Sequence, residues 1–281
     1  MKFHFLTAAL VFCSLLSSLE CFPQKNTSSS LTPEEKAAAD KLSEQFIQRL
    51  IAAGDVEPLI GEMFVTDFVK RLSLEAKHHR NSDDMWPDRT LPISDKTDLA
   101  VFENASLDEM RQFFVGRFRL MNYGIMVSMN LYARSQSQGT ELADDSFDTI
   151  YPSSVMKRLE NDPYLGNLIL KKNLPSRPIA TIEDLRNVNK TLSEVSDMLR
   201  SKENAKSAEL TKEAIKMIPR SRQIVKEKFD YPLLNDIPGE HFGFPKGTRL
   251  IVAFASVGHM LVITKVGSEY KIVYAGIGSP D

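Results

Sequence analysis

The stretch Arg249–Gly276, RLIVAFASVGHMLVITKVGSEYKIVYAG, constrains the fold more than any other part of this chain. Apolar and β-branched residues recur in runs of strand length, broken at two points where a glycine permits a reversal. Gly267-Ser268 has the form of a two-residue hairpin loop, because glycine accepts the positive φ that the first loop position requires. That turn predicts Lys265 opposite Tyr270, Ile263 opposite Ile272 and Leu261 opposite Tyr274. A second turn at Val257-Gly258 predicts Phe254 opposite Leu261 and Val252 opposite Ile263. Valine suits a turn poorly, and a single bent strand is the alternative there. The expected inward face is Leu250, Val252, Phe254, Leu261, Ile263, Tyr270, Ile272 and Tyr274, with Ile251, Thr264, Glu269 and Lys271 on a mixed outer face. Three short strands bury too little by themselves, so helices must cover them. The expected class is α+β, mostly helical, with a C-terminal three-stranded antiparallel meander packed against helices.

Helical signals fill most of the chain before Arg249. Thr32, Pro33 and Glu35 make a capped start for a helix whose apolar stripe is Leu42, Phe46 and Leu50, ended by Gly54. Asp55 caps a second segment carrying Leu59, Ile60, Met63, Phe64, Phe68, Val69 and Leu72 at helical spacing. Lys77–Asp98 reads as a polar surface loop. Ser106 and Glu109 form another capping box, opening a helix through Met110, Phe113, Phe114, Phe118 and Met121. Leu120–Ala133 carries no charge and reads as buried rather than membrane-spanning. An acidic loop over Gly139–Asp148 and a short helix from Ser153 to about Glu160 lead to the Asp162-Pro163 turn. Thr181 opens a helix with Leu185, Val188, Leu192, Val195 and Leu199 as an a/d-type seam. Leu210, Ala214, Met217 and Ile218 begin its return partner, interrupted by Pro219 and resuming at Ile224, so 181–229 reads as a helical hairpin.

The N-terminus sets the expected compartment. Lys2, the apolar run Phe5–Leu16 and the small residues after it have the form of a secretory signal peptide over 1–21. Residues 22–31 are a polar, Ser-rich linker with no packing surface, and 32–281 are expected to form a single domain with a helical section at about 104–230. Cys21 raises lipid anchoring, but Ser18-Leu19-Glu20 fits an acceptor site badly. The two cysteines, Cys13 and Cys21, both belong to the leader or its edge, which leaves the mature chain without a disulfide or a thiol nucleophile. That combination points to a bacterial periplasmic or secreted protein. Asn26, Asn104 and Asn189 sit in glycosylation sequons that matter only in a eukaryotic secretory pathway. A net charge of −2 with 26% charged residues argues against nucleic-acid binding and a polybasic membrane patch.

Few residues have the setting that chemistry needs. His259 lies at the end of a strand beside Ser256, with Tyr274 near in the expected register, at the mouth of an apolar cavity where it would serve as general base. The plainer reading is a hydrogen-bonded histidine at a sheet corner, since no carboxylate partner is identifiable. His78 and His79 are adjacent and point apart on a helix, so they do not chelate one ion. Asp83, Asp84 and Asp88, and Asp144, Asp145 and Asp148, lack the alternation of a calcium loop. Met121, Met126 and Met129 read as core filler rather than copper ligands. There is no GxSxG, P-loop, GxGxxG or HExxH, and no metal or cofactor is called for.

The segment ending at Ala53-Gly54-Asp55, followed by Leu59, Phe64 and Asp67-Phe68, resembles the N-terminal helices of NTF2-like (SnoaL-type) proteins. Lys265–Val273 resembles the final hairpin of that fold. The resemblance covers roughly the first and last fifths of the mature chain and implies a curved sheet wrapped around helices, enclosing a cone-shaped pocket. Such domains have more strands, and the Asp and His pairs of catalytic members match no position here, so no residue role is carried over. The expectation is an exported, non-enzymatic protein that binds a small apolar ligand or a partner protein. One alternative is an NTF2-like cavity enzyme using His259 with Tyr274; another is an interaction module built on the 181–229 hairpin, if Leu185, Leu192 and Leu199 stay exposed.

Overall fold

A computed structural model describes residues 31–79, 101–138, 151–165, 177, 179–200, 212–213, 215–223, 239–256 and 258–278. The element order is α1 (Pro33–Ala53), α2 (Glu57–Met63), α3 (Phe68–His79), α4 (Leu107–Gln138), α5 (Ser153–Glu160), α6 (Ile182–Arg200), β1 (Ile251–Ser256), β2 (Gly258–Val266) and β3 (Glu269–Gly278). Residues 215–223 are also helical. The class is α+β, with a three-stranded antiparallel sheet in the order β1-β2-β3 packed against helices. One cluster of buried apolar residues runs from Leu31 to Ala275.

The helix starts arise from local chemistry. Thr32 Oγ1 accepts from Glu35 N, and the Glu35 carboxylate accepts from Thr32 N, which satisfies two otherwise orphaned donors. Ser106 with Glu109, and Thr181 with Asp184, repeat the reciprocal pattern on α4 and α6. Gly54 closes α1 in the left-handed region at φ 64°, its N–H reaching Leu50 O. Three expectations fail locally. Leu31, assigned to an unpacked linker, is 7% exposed and belongs to the core. The second helical segment is broken: Phe64 is extended and forms a parallel bridge to Ile272, with Val65 N donating to Ile272 O, before α3 begins. Pro219 does not interrupt the return helix, since residues 215–223 run through it; a proline removes one donor and helix context absorbs that loss.

The sheet departs from the expected register in an instructive way. Lys265 faces Tyr270 and Ile263 faces Ile272 as expected, and Gly267 has φ 62° in the tight turn. A bulge at Val273 then shifts the remainder, so Leu261 faces Ala275 and Tyr274 faces Val262. On the other side Val252 faces Val262 and Phe254 faces Met260, one position away from the expected pairs, and a second bulge at Ala255 brings Ser256 opposite His259. Each bulge displaces the pairing by one residue and flips the residues beyond it to the other face. The outer face is mixed as expected, with Ile251 and Thr264 buried, Lys271 half-buried and Glu269 exposed, while the consecutive residues Leu261 to Thr264 are all at most 1% exposed. Protein therefore covers this middle part of the central strand on both sides. Helix α1 packs over β1, while α3 and α4 pack against β3.

Helix α6 lies along α4, and its seam faces inward. Leu185, Val188, Leu192, Val195 and Leu199 are all buried. The approach is tightest at Gly116, where a Cβ would come within 2.8 Å of Leu192 Cβ. Gly116→Val is expected to lower stability by about 1–3 kcal/mol in urea unfolding, because two helix backbones must separate. Gly61→Ala, on an open face of α2, is the control and should raise stability by about 0.5–1 kcal/mol. Equal effects of the two changes would mean that the α4–α6 contact is looser than described.

Candidate functional site

The bulge at Ala255 and the nearby Gly258 gather polar side chains at one corner of the sheet. Ser256 Oγ lies 2.7 Å from His259 Nδ1. His259 Nε2 lies 2.8 Å from Asn122 Oδ1 on α4. With the amide oxygen accepting, the ring proton sits on Nε2 and the serine hydroxyl donates to Nδ1. Asn122 Nδ2 then reaches Met126 Sδ at 3.6 Å. All three residues are buried: Ser256 completely, His259 to 2% exposure and Asn122 to 6%. Burial pushes the imidazole down to about 4, which makes it neutral at ordinary pH.

Tyr274 does not join this group. It pairs with Val262, whereas His259 pairs with Ile277. An odd separation along β2 puts the two side chains on opposite faces. The tyrosine hydroxyl lies over Gly276, where a Cβ would meet it at 2.9 Å. Its charge-bearing neighbour is Arg117 on α4, a guanidinium that burial lowers to about 10 while Tyr274 works in the opposite direction. A second buried arginine, Arg222, approaches from the helical residues 215–223. It donates to Ala255 O at 3.3 Å, to Asp40 O at 3.2 Å and to Asp40 Oδ1 at 2.7 Å, linking the β1 bulge to α1.

Asn122, Arg117 and Arg222 were not singled out by sequence. Two of them left a signal there: Arg117 falls within the apolar stripe of Phe113, Phe114 and Phe118, and Asn122 interrupts an uncharged helical run. Polar residues on a buried stripe need partners. Which partners they find depends on the sheet register.

Serine, histidine and amide in this order have the connectivity of a nucleophile, a base and an orienting group. A base in that role must relay the serine proton onward, and a substrate must reach Oγ. With Ser256 fully buried, the trio stands as a satisfied hydrogen-bond chain tying β1 and β2 to α4.

A larger polar network lies where α1 meets α2. Burial alone would raise Asp55, but bonds from Arg119 and from Glu57 N, with the charges of Arg119 and Arg200, hold it below the usual carboxylate range. Arg119 bridges Asp55 and Glu57 at 2.6 and 2.7 Å, and Arg200 reaches Asp55 at 2.5 Å, so α4 and α6 are both anchored there. Of the sequon asparagines, Asn104 is exposed, and Asn189 is buried with Nδ2 donating to Glu109 O. A glycan on Asn189 is incompatible with the α4–α6 packing. The aspartates at 83, 84, 88, 144, 145 and 148, Asn26, Cys21 and the leader lie outside the described residues, as do the side chains of His78 and His79. Among the described residues no group of three or more His, Cys, Asp or Glu is placed to hold a metal ion, and no helix is long and apolar enough to cross a membrane. Comparison with protein-family models, with curated proteins and with solved structures gives no match.

Proposed function

We propose that this chain is an exported protein that works by binding a partner protein at its surface, without chemistry of its own. The observation that supports this reading is the closure of its interior. Both faces of the central strand from Leu261 to Thr264 are packed by the protein itself. The serine that His259 would activate is fully buried. Recognition by this body therefore falls to its surface. The hairpin seam is not the surface in question, because Leu185, Leu192 and Leu199 are buried within the fold. The leader-like N-terminus supports export.

Native mass spectrometry of the protein taken from its own source tests the reading. The expected result is a chain lacking its leader, in stoichiometric complex with a second polypeptide. A small-molecule mass excess that vanishes on denaturation overturns it in favour of an internal apolar ligand, as the NTF2-like resemblance implies. A catalytic reading is favoured by one observation, the 2.7 Å Ser256–His259 contact. Covalent labelling of Ser256 by a fluorophosphonate probe, lost in His259→Ala, is the outcome that would establish it.

A further inference from the structure

The corner of the sheet between β1 and β2 meets α4 through three contacts. Gly258 holds φ 100°, and its Cα face lies against Ile125, where a Cβ would sit 3.0 Å from Cδ1. The imidazole of His259 lies 6.3 Å from the Phe118 ring, centroid to centroid. His259 Nε2 is bonded to Asn122. His259 is the titratable residue at this corner, and it stands on a core strand rather than on a surface helix.

We propose that the Ser256–His259–Asn122 joint is an acid-sensitive latch, which holds the sheet corner to α4 while the ring is neutral and releases it when the ring is protonated. In the neutral form every role is filled: Nε2–H donates to the amide oxygen and Nδ1 accepts from the serine. A second ring proton turns Nδ1 into a donor, so the Ser256 hydroxyl must reverse, and it places a full charge among apolar groups. The surroundings offer that charge no relief. From β1 the ring faces Ser256, and from α4 it faces Phe118 and Asn122. Of the charged residues on the elements packed here, Arg117 of α4 interacts with Tyr274, and Asp40 and Glu44 of α1 are paired with Arg222. Burial alone governs the ring's titration, with no carboxylate acting on it.

The ring is held at about 4 in the closed form against an ordinary value of 6.5, so the open form takes up the proton more readily. Closure is complete above the ordinary value and is lost as pH falls from there toward about 4. The carboxylates that stabilise the fold act lower. Glu35, Asp55, Glu109, Asp184 and Glu194 are all held below their ordinary values, so their contributions begin to fade as pH falls to those ordinary values and go on fading below them. The two windows meet at the ordinary carboxylate values, and the span above them belongs to His259. This holds whatever partner the protein binds.

The test compares urea unfolding of the full chain and of His259→Gln, monitored by circular dichroism from about pH 7.5 to about pH 4.5. The wild-type folding constant is expected to fall on the order of a hundredfold more than that of the variant over this range. The other histidines are present in both proteins and cancel. A parallel decline of the two proteins overturns the latch. If the glutamine variant does not fold, nitrogen-15 histidine spectra of the wild type decide. The latch requires the His259 ring to remain in the Nε2–H form past the ordinary histidine range, and to protonate together with loss of hydrogen-exchange protection at residues 256–261 and 118–126. A ring that titrates near 6.5 in an intact fold, or loosening that starts elsewhere, overturns it.

Discussion

Phe118→Ala is expected to be among the most destabilising single changes in this protein, lowering the unfolding free energy by about 3–5 kcal/mol. Phe118 is 2% exposed and stands at the meeting point of three elements. Its ring meets Phe46 of α1 edge-on at 6.3 Å, lies 5.8 Å from Phe114 and borders His259 of β2 at 6.3 Å. Truncation therefore removes transfer energy and leaves a void that cannot close without moving α1, α4 or the sheet. A second consequence separates this site from an ordinary core position. The void opens beside the imidazole, water enters, and the burial that holds His259 down is relieved, so its titration moves up toward the ordinary value. Urea unfolding gives the first quantity and histidine NMR the second. Phe118→Leu should recover most of the stability and keep the ring buried. A change of less than about 1 kcal/mol on truncation would contradict the packing described.

The sequence carried the local grammar of this fold better than its long-range geometry. Each capping box was readable because both partners lie within one turn, as with Thr32 and Glu35 or Ser106 and Glu109. The Gly267-Ser268 hairpin was readable for the same reason, and the two pairs nearest it, Lys265–Tyr270 and Ile263–Ile272, came out as expected. Beyond Ile272 a period-two count loses its footing, because a bulge consumes one residue without a local signature in Val273. That single extra residue moved Tyr274 to the face opposite His259 and dissolved the pair on which a catalytic reading rested. The break at Phe64 was hidden in the same manner. Its apolar character suits the core stripe of a helix and the edge of β3 equally well, and only the position of Ile272 decides between them.

The candidate site shows a further limit. His259 and Ser256 were visible as neighbours at a strand end, but Asn122 lies 137 residues away. An asparagine inside an uncharged helix announces that it needs a partner without saying which. The seam of α6 was legible as a stripe, while the face that buries it depends on Gly116 giving Leu192 room to approach. Spacing identifies an apolar face; closeness of approach settles whether that face is core or interface.

Arg222→Ala is the other change expected to have a large effect, about 3 kcal/mol. The side chain is 9% exposed and joins three pieces of chain that are distant in sequence: the helical residues 215–223, α1 through Asp40, and the β1 bulge through Ala255 O. Removing it leaves the Asp40 carboxylate and the bulge carbonyl without this donor inside the fold. Asp40 is 29% exposed and regains some hydration, which places the effect at the lower end of the range for breaking a buried pair. Arg222→Met keeps the apolar stem and discards the bonds, so it should recover only the packing part. Arg222→Lys should recover little, because one ammonium does not span a carboxylate, a helix carbonyl and a strand carbonyl in the fixed fork of a guanidinium. A double-mutant cycle with Asp40→Asn isolates the pair, with an expected coupling of about 1–2 kcal/mol. The local readout is hydrogen exchange: the amides of 255–259 should lose protection before those of α6, because Arg222 steadies the bulge that presents Ser256 to His259. If alanine, methionine and lysine all fall within about 0.5 kcal/mol of wild type, the arginine is an ornament of the surface, and the corner is held by Asn122 and Phe118 alone.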